Sequence, residues 1–141
     1  MQILVTGGTG LVGKAAVRAL LSRGHSIRLL SRNADAEAEL WPGGIESWPA
    51  SISDAESLRG SADGCDLVVH VAGIAAENPP EVTFAGTNVE GTRNIVREAM
   101  RAKCGRLICI SSLGADTGTS AYHRSKLSAE EIVRNFAGGW T

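Results

Sequence analysis

A chain of 141 residues, 43% hydrophobic and 21% charged, suits one domain with a full core and is too apolar for a disordered segment. Fourteen Lys and Arg against fifteen Asp and Glu leave a formal charge of −1, which builds no field for nucleic acid or an anionic membrane. Cys65, Cys104 and Cys109 lack CxxC or Cys/His spacing, so they read as reduced thiols in a cytoplasm with no metal site, and no apolar run reaches membrane-spanning length.

Short β-branched runs alternate with helical patterns. Residues 2–6 are almost continuously apolar, as in a buried parallel strand, and they run straight into a glycine turn, which argues against a signal peptide. Over 10–23, Val12, Ala16, Ala19 and Leu20 share one helix face, and Gly24 reads as the C-cap. Residues 26–31 predict the second strand and 33–40 a weak helix. Pro42, Gly43 and Gly44 break the chain before a short third strand near 45–48. Ser53 with Glu56 three residues on has the capping-box spacing and opens a short helix to about Arg59. Residues 66–71 predict the fourth strand. Pro79 and Pro80 precede a long helix over 81–103, which Gly105 ends, and 106–111 predict the fifth strand. A last helix over 120–136 is closed by Gly138 and Gly139. Five strands with helices between them require crossovers, so the expected fold class is α/β: a doubly wound parallel sheet of order 3-2-1-4-5 between two helical layers, one domain over 1–141.

The segment Thr6-Gly7-Gly8-Thr9-Gly10-Leu11-Val12-Gly13 follows a strand and opens a helix. It satisfies GxGxxG as Gly8, Gly10, Gly13 and GxxGxxG as Gly7, Gly10, Gly13. In that context glycine lets the backbone approach a pyrophosphate, and the helix N-terminus supplies N–H donors and positive dipole. The acidic ribose ligand usual about 20 residues on is replaced by Ser31 and Arg32. A hydroxyl and a guanidinium favour a 2′-phosphate, so NADP(H) is expected over NAD(H), with Arg28 on the same side of the strand as a further helper.

Tyr122-His123-Arg124-Ser125-Lys126 holds the only tyrosine, and i, i+4 spacing puts Tyr122 and Lys126 on one helix face. A nearby ammonium favours the phenolate, making Tyr122 a workable proton donor or acceptor, and Lys126 can also hold a nicotinamide ribose. Ser111 and Ser112 end the fifth strand, at the carboxyl edge where doubly wound sheets bind ligands. Ser112 is taken as the hydroxyl that polarises a substrate carbonyl.

Together TGGTGLVG (6–13), DAESL (54–58), VVHVAG (68–73), NVEGTRNIV (88–96), SSLGAD (111–116) and YHRSK (122–126) resemble the short-chain dehydrogenase/reductase superfamily in its extended or atypical branch. The chain is most similar to the NAD-dependent epimerase/dehydratase group, and SSLGAD and AYHRSK resemble the NAD(P)-binding relatives of the 39-kDa complex I subunit. The resemblance implies a Rossmann-like fold with Gly7, Gly10 and Gly13 as the phosphate turn and the Thr9, Leu11 and Val12 backbone beside it. It implies Val71, Ala72 and Gly73 on the adenosine ribose side, and Asn88 shaping a proton-relay water. Ser112, Tyr122 and Lys126 would complete the catalytic set. Ala50-Ser51-Ile52 stands where the family has a Gly-Asp-Val-type segment, so Ser51 and Ile52 are expected to replace the adenine contact.

Relatives continue into a sixth strand and a substrate region, whereas Trp140-Thr141 supplies only the first step of that strand. An unpaired fifth strand, or the helix over 81–103, is then the expected surface for self-association. Two functions stay open: an NADP(H)-dependent oxidoreductase or epimerase, and a non-catalytic dinucleotide-binding module or assembly subunit, either of them as a piece of a longer enzyme. The substrate is a small molecule that the sequence does not specify.

Overall fold

The computed structural model describes residues 1–41, 43 and 45–141. In chain order it contains β1 (Gln2–Thr6), α1 (Leu11–Leu21), β2 (Ser26–Ser31), α2 (Ala34–Ala38), β3 (Glu46–Pro49), α3 (Ala55–Leu58) and β4 (Leu67–His70). A π-helical segment (Ala85–Glu90) then leads into α4 (Gly91–Arg101), followed by β5 (Arg106–Cys109), α5 (Ala121–Arg134) and β6 (Gly139–Trp140). All pairings are parallel, and the strand order is β3-β2-β1-β4-β5-β6. The expected 3-2-1-4-5 order is present with one strand added.

Both sheet faces are covered, which is why the central strands β1 and β4 read as near-continuous apolar runs. Leu4, Leu30, Val68 and Leu107 point to one face and pack with Ile95, Ala99 and Val133 of α4 and α5. Ile3, Val5, Ile27 and Val69 point to the other and pack with Val17 of α1. Each such side chain contributes roughly 1.5–3 kcal/mol by burial, and truncating fully buried Leu4 to Ala would cost about 2–5 kcal/mol.

Several boundaries move, each for a local reason. Asp54, not Ser53, caps α3: its Oδ1 accepts the N–H groups of Glu56 at 3.1 Å and Ser57 at 3.5 Å. Ser53 instead donates its hydroxyl to Gly86 O at 3.2 Å. The long helix does not begin at 81. Asn78 and Val82 pair in a short antiparallel bridge, which holds the chain out of helix until Phe84. Its first turns are then π-helical, a wide form often found at functional sites. At its end Lys103 takes the left-handed conformation at φ 58, the place expected for Gly105. Gly24, at φ 76, closes α1 as expected. The break assigned to Pro42, Gly43 and Gly44 falls partly on Pro42 and Gly44, which lie outside the described residues.

The outer edge of β5 is covered. Arg106 pairs with Gly139 and Leu107 with Trp140, and Cys109 N donates to Thr141 O at 2.9 Å. The edge expected at β5 therefore passes to β6, and the argument for self-association through β5 loses its basis. The three thiols are free. Burial pushes Cys65 up to about 11 and raises Cys104 and Cys109, so all three are held as thiols. Among the described residues no helix is long and apolar enough to cross a membrane.

Candidate functional site

The turn between β1 and α1 brings backbone to the carboxyl edge of the sheet. Gly7 has φ 68, and a Cβ there would stand 2.6 Å from Ala72 N on the loop after β4. A Cβ at Gly13 would stand 2.0 Å from Gly7 O. Gly8 serves a different end: a Cβ there would meet Leu29 Cδ1 at 2.5 Å, so its bareness lets the turn pack on β2. Gly7 and Gly13 are thus the glycines whose bareness shapes the turn, whereas a Cβ at Gly10 would meet only Gly7 O at 3.5 Å. Gly10 caps α1 without a side-chain bond, and no acidic residue stands in the first turn. The N–H groups of Leu11 and Val12 consequently have no intrahelical acceptor, and both residues are exposed. Free donors, positive dipole and a turn that excludes a Cβ at Gly7 and Gly13 match a pyrophosphate.

Beside the turn lies a crevice of about 320 Å³. Gly7 and Thr9 form one wall, Ala72 and Gly73 another, and Ser31, Arg32, Ser51 and Ile52 the far end. Val71 does not reach it. Its N–H closes on Thr6 O at 3.1 Å, and its side chain packs against the core on the α1 face. The Ile52 side chain also turns inward, filling the space left by Gly91, while Asn94 donates to Ile52 O at 3.0 Å. Ser51 Oγ accepts the N–H of Ser53 at 3.3 Å.

The end of the crevice at which the sequence places the adenosine ribose differs from expectation in two ways. Arg28 does not face it. Its Nη1 donates to Ser61 O at 2.7 Å and Asp63 O at 2.8 Å, and its Nε lies 2.8 Å from Glu46 Oε1. It is a structural arginine tying β2 to the loop before β4. Ser31 is not a free hydroxyl either: it donates to Glu37 Oε2 and accepts the N–H of Asn33 at 3.2 Å. Glu37, in the first turn of α2, lines the crevice with Arg32. Sequence reasoning missed it because the acid was sought at the strand end and not six residues on.

Tyr122 and Lys126 lie one turn apart on α5, which Ser120 caps by accepting the His123 N–H at 3.2 Å. Lys126 is only 9% exposed, and its Nζ donates to Ile110 O at 2.7 Å. A Cβ on Gly73 would come within 3.9 Å of that Nζ, so the crevice wall and the lysine adjoin. The Tyr122 ring packs at 5.8 Å from both Phe84 and His123. Ser111 donates to Glu130 on α5, which leaves Ser112 as the other hydroxyl at the strand end. Ser112 bonds weakly to Leu113 O at 3.4 Å and, among the described residues, makes no hydrogen bond to Tyr122.

Asn88 sits in the π-helical segment, buried, and ties three elements together. Its Oδ1 accepts Ile74 N–H at 2.8 Å, and its Nδ2 donates to Ile74 O and Ser125 Oγ, each at 3.0 Å. Ser125 in turn donates to Tyr122 O at 2.7 Å. A second chain runs beneath. Ala72 N–H donates to Thr6 Oγ1 at 3.2 Å, and Thr6 Oγ1 lies 2.7 Å from His70 Nδ1. His70 Nε2 lies 3.0 Å from Thr92 Oγ1, whose proton goes to Asn88 O at 2.7 Å. Only the Nε2–H tautomer satisfies every member. Burial, aided by the Lys126 charge, pushes His70 down to about 3, so the ring is neutral. Sequence reasoning passed over His70, Thr92 and Ser125, which pattern alone reads as core and helix positions.

The sequence matches the family described as NAD(P)H-binding over residues 7–141. It is 30% identical to a ketoreductase for 4-hydroxy-2-methyl-3-oxo-4-farnesyl-3,4-dihydroquinoline-1-oxide from Stigmatella aurantiaca, over 79% of this chain and 34% of the relative. It is 36% identical to cinnamoyl-CoA reductase 1 of Oryza sativa subsp. japonica, over 80% of this chain and 35% of the relative. Among solved structures, a short-chain dehydrogenase/reductase superfamily protein from Agrobacterium tumefaciens with bound NAD superposes with a TM-score of 0.81 at 28% identity, covering 99% of this chain and 47% of that one. A UDP-galactose 4-epimerase shares the fold at TM-score 0.81 and 22% identity, over 99% of this chain and 54% of that one. The chain spans about a third of the length of these two curated relatives.

Proposed function

We propose, on the premise that the chain belongs to the NAD(P)H-binding family, that it is the dinucleotide-binding and catalytic-helix part of a reductase or epimerase-type oxidoreductase. The bound nicotinamide cofactor supplies hydride chemistry. The chain's own residues bind and orient it: the Gly7–Gly13 turn and the α1 N-terminus take the pyrophosphate, and Ala72 and Gly73 take the ribose side. Lys126 offers its remaining N–H donors to the nicotinamide ribose. Tyr122 holds the proton exchanged with the substrate oxygen, and Ser112 donates a hydrogen bond to that oxygen. The observation that carries the reading is Lys126, a buried ammonium bonded to Ile110 O beside Gly73, one turn below Tyr122.

NADP(H) is favoured over NAD(H) because Arg32 lines the crevice and, among the described residues, forms no ion pair with a carboxylate. Three free thiols suit a reducing, cytoplasmic setting. A second reading is a dinucleotide-bound module without turnover. Ser112 favours it, because among the described residues it makes no hydrogen bond to Tyr122.

Titration of the purified chain with NADPH and NADH, followed by nicotinamide fluorescence, tests the proposal. Saturable binding of either supports it, with NADPH tighter if Arg32 acts as argued. Binding of neither at millimolar concentration removes it.

A further inference from the structure

We infer that Glu37 is a specificity-determining residue that works against Arg32 at the adenosine ribose, so that the pair sets the ratio of NADPH to NADH binding. The inference rests on the dinucleotide reading above. Glu37 and Arg32 line the same end of the crevice. The Ser31 hydroxyl donates to Glu37 Oε2, which fixes the carboxylate beside the end of β2. The Ser31 proton is thereby committed, and Ser31 Oγ already accepts Asn33 N–H, so Ser31 has no donor left for a phosphate.

Among the described residues Glu37 forms no ion pair, and its Oε1 accepts no hydrogen bond from the protein. A fixed carboxylate oxygen without a donor suits a ribose hydroxyl, which brings a proton. It opposes a 2′-phosphate, which brings only acceptors and a charge of about −1.5 to −2. The Arg32 guanidinium has the reverse preference. A carboxylate delivered from α2 thus does from the helix side what a strand-end acid would do from the sheet side.

The test measures Kd for NADPH and NADH in the wild-type chain, in Glu37→Gln and in Arg32→Ala, with a thermal melt of each. Glu37→Gln keeps the size and an acceptor for Ser31 but removes the charge. It is expected to tighten NADPH about tenfold while changing NADH by no more than about threefold. Arg32→Ala is expected to weaken NADPH about tenfold and leave NADH nearly unchanged. An NADPH-to-NADH ratio in Glu37→Gln within twofold of wild type overturns the inference, provided the melt matches wild type. If Glu37→Gln does not fold, an Arg32→Ala ratio equal to that of wild type overturns it, since the opposing partner is then absent. Failure of the wild type to bind either cofactor overturns the dinucleotide reading and this inference with it.

Discussion

His70 and Thr92 form a buried pair in which the imidazole Nε2–H, 3.0 Å from Thr92 Oγ1, is the donor, because the threonine proton is already committed to Asn88 O. The pair closes a chain that begins at Ala72 N–H and passes through Thr6. It locks the end of β4 to the start of α4, and so fixes both Gly73 and Asn88.

That neutral ring makes stability depend on pH. Folded His70 takes no proton until pH falls to about 3, whereas the unfolded imidazole takes one near 6.5. A depressed histidine leaves stability complete above about 6.5 and reduces it as pH falls from there toward 3. Between pH 7.5 and 5.0 the loss is expected to be about 2 kcal/mol, set by the unfolded value alone. Urea unfolding at the two pH values measures it. In His70→Gln the difference over that interval should shrink below about 0.5 kcal/mol.

Gly13→Ala puts a Cβ 2.0 Å from Gly7 O, a backbone atom that moves only with the whole turn. The expected outcome is a stability loss of about 1–3 kcal/mol and dinucleotide binding weakened by tenfold or more. Thermal melts and fluorescence titration check the two parts. Tight binding in this variant would show that the pyrophosphate does not rest on the turn.

Tyr122→Phe removes one hydroxyl and keeps the ring contacts with Phe84 and His123. If the chain supports hydride transfer to carbonyl compounds, NADPH consumption should fall about 10²- to 10⁴-fold with Kd for NADPH unchanged. Under the non-catalytic reading the substitution changes nothing measurable. Consumption that survives the substitution assigns the proton to another group.

Lys103 occupies the left-handed region at φ 58, where a side chain costs about 1–2 kcal/mol and glycine costs little. Lys103→Gly is expected to raise stability by about 1 kcal/mol in urea unfolding, since the loss of unfolded-state restriction offsets part of the relief. A decrease would mean that the lysine side chain makes a contact that outweighs the backbone strain.

The fold was legible because its signals are local and redundant. Ile3-Leu4-Val5 is apolar on both faces and Ile27, Leu29 and Leu30 give the second strand its core positions, and β1 and β2 occupy the expected spans unchanged. The phosphate turn was legible because glycine at Gly7 and Gly13 answers a steric demand that few other contexts make. Helix starts were less legible. Ser53 and Asp54 both suit an N-cap, and the structure gives the role to Asp54 while Ser53 bonds to Gly86 O. The delayed start of the long helix depends on the Asn78–Val82 bridge, a tight local turn that no helical periodicity records. The Arg32 end of the crevice was the least legible part. Strand alternation puts Arg28 and Arg32 on one side, yet β2 ends at Ser31 and the loop carbonyls of Ser61 and Asp63 claim Arg28. Glu37 reaches the crevice only because α2 folds back over the end of β2.

The most direct test of the account is an amide ¹H–¹⁵N titration of the labelled chain with NADPH, after backbone assignment. The account predicts that the largest shifts fall on Gly10, Leu11, Val12, Gly13, Arg32 and Gly73, with little change at the opposite end of the sheet, at Gln2, His25 and Ser26. Shifts concentrated at that opposite end, or none at saturating NADPH, would contradict it.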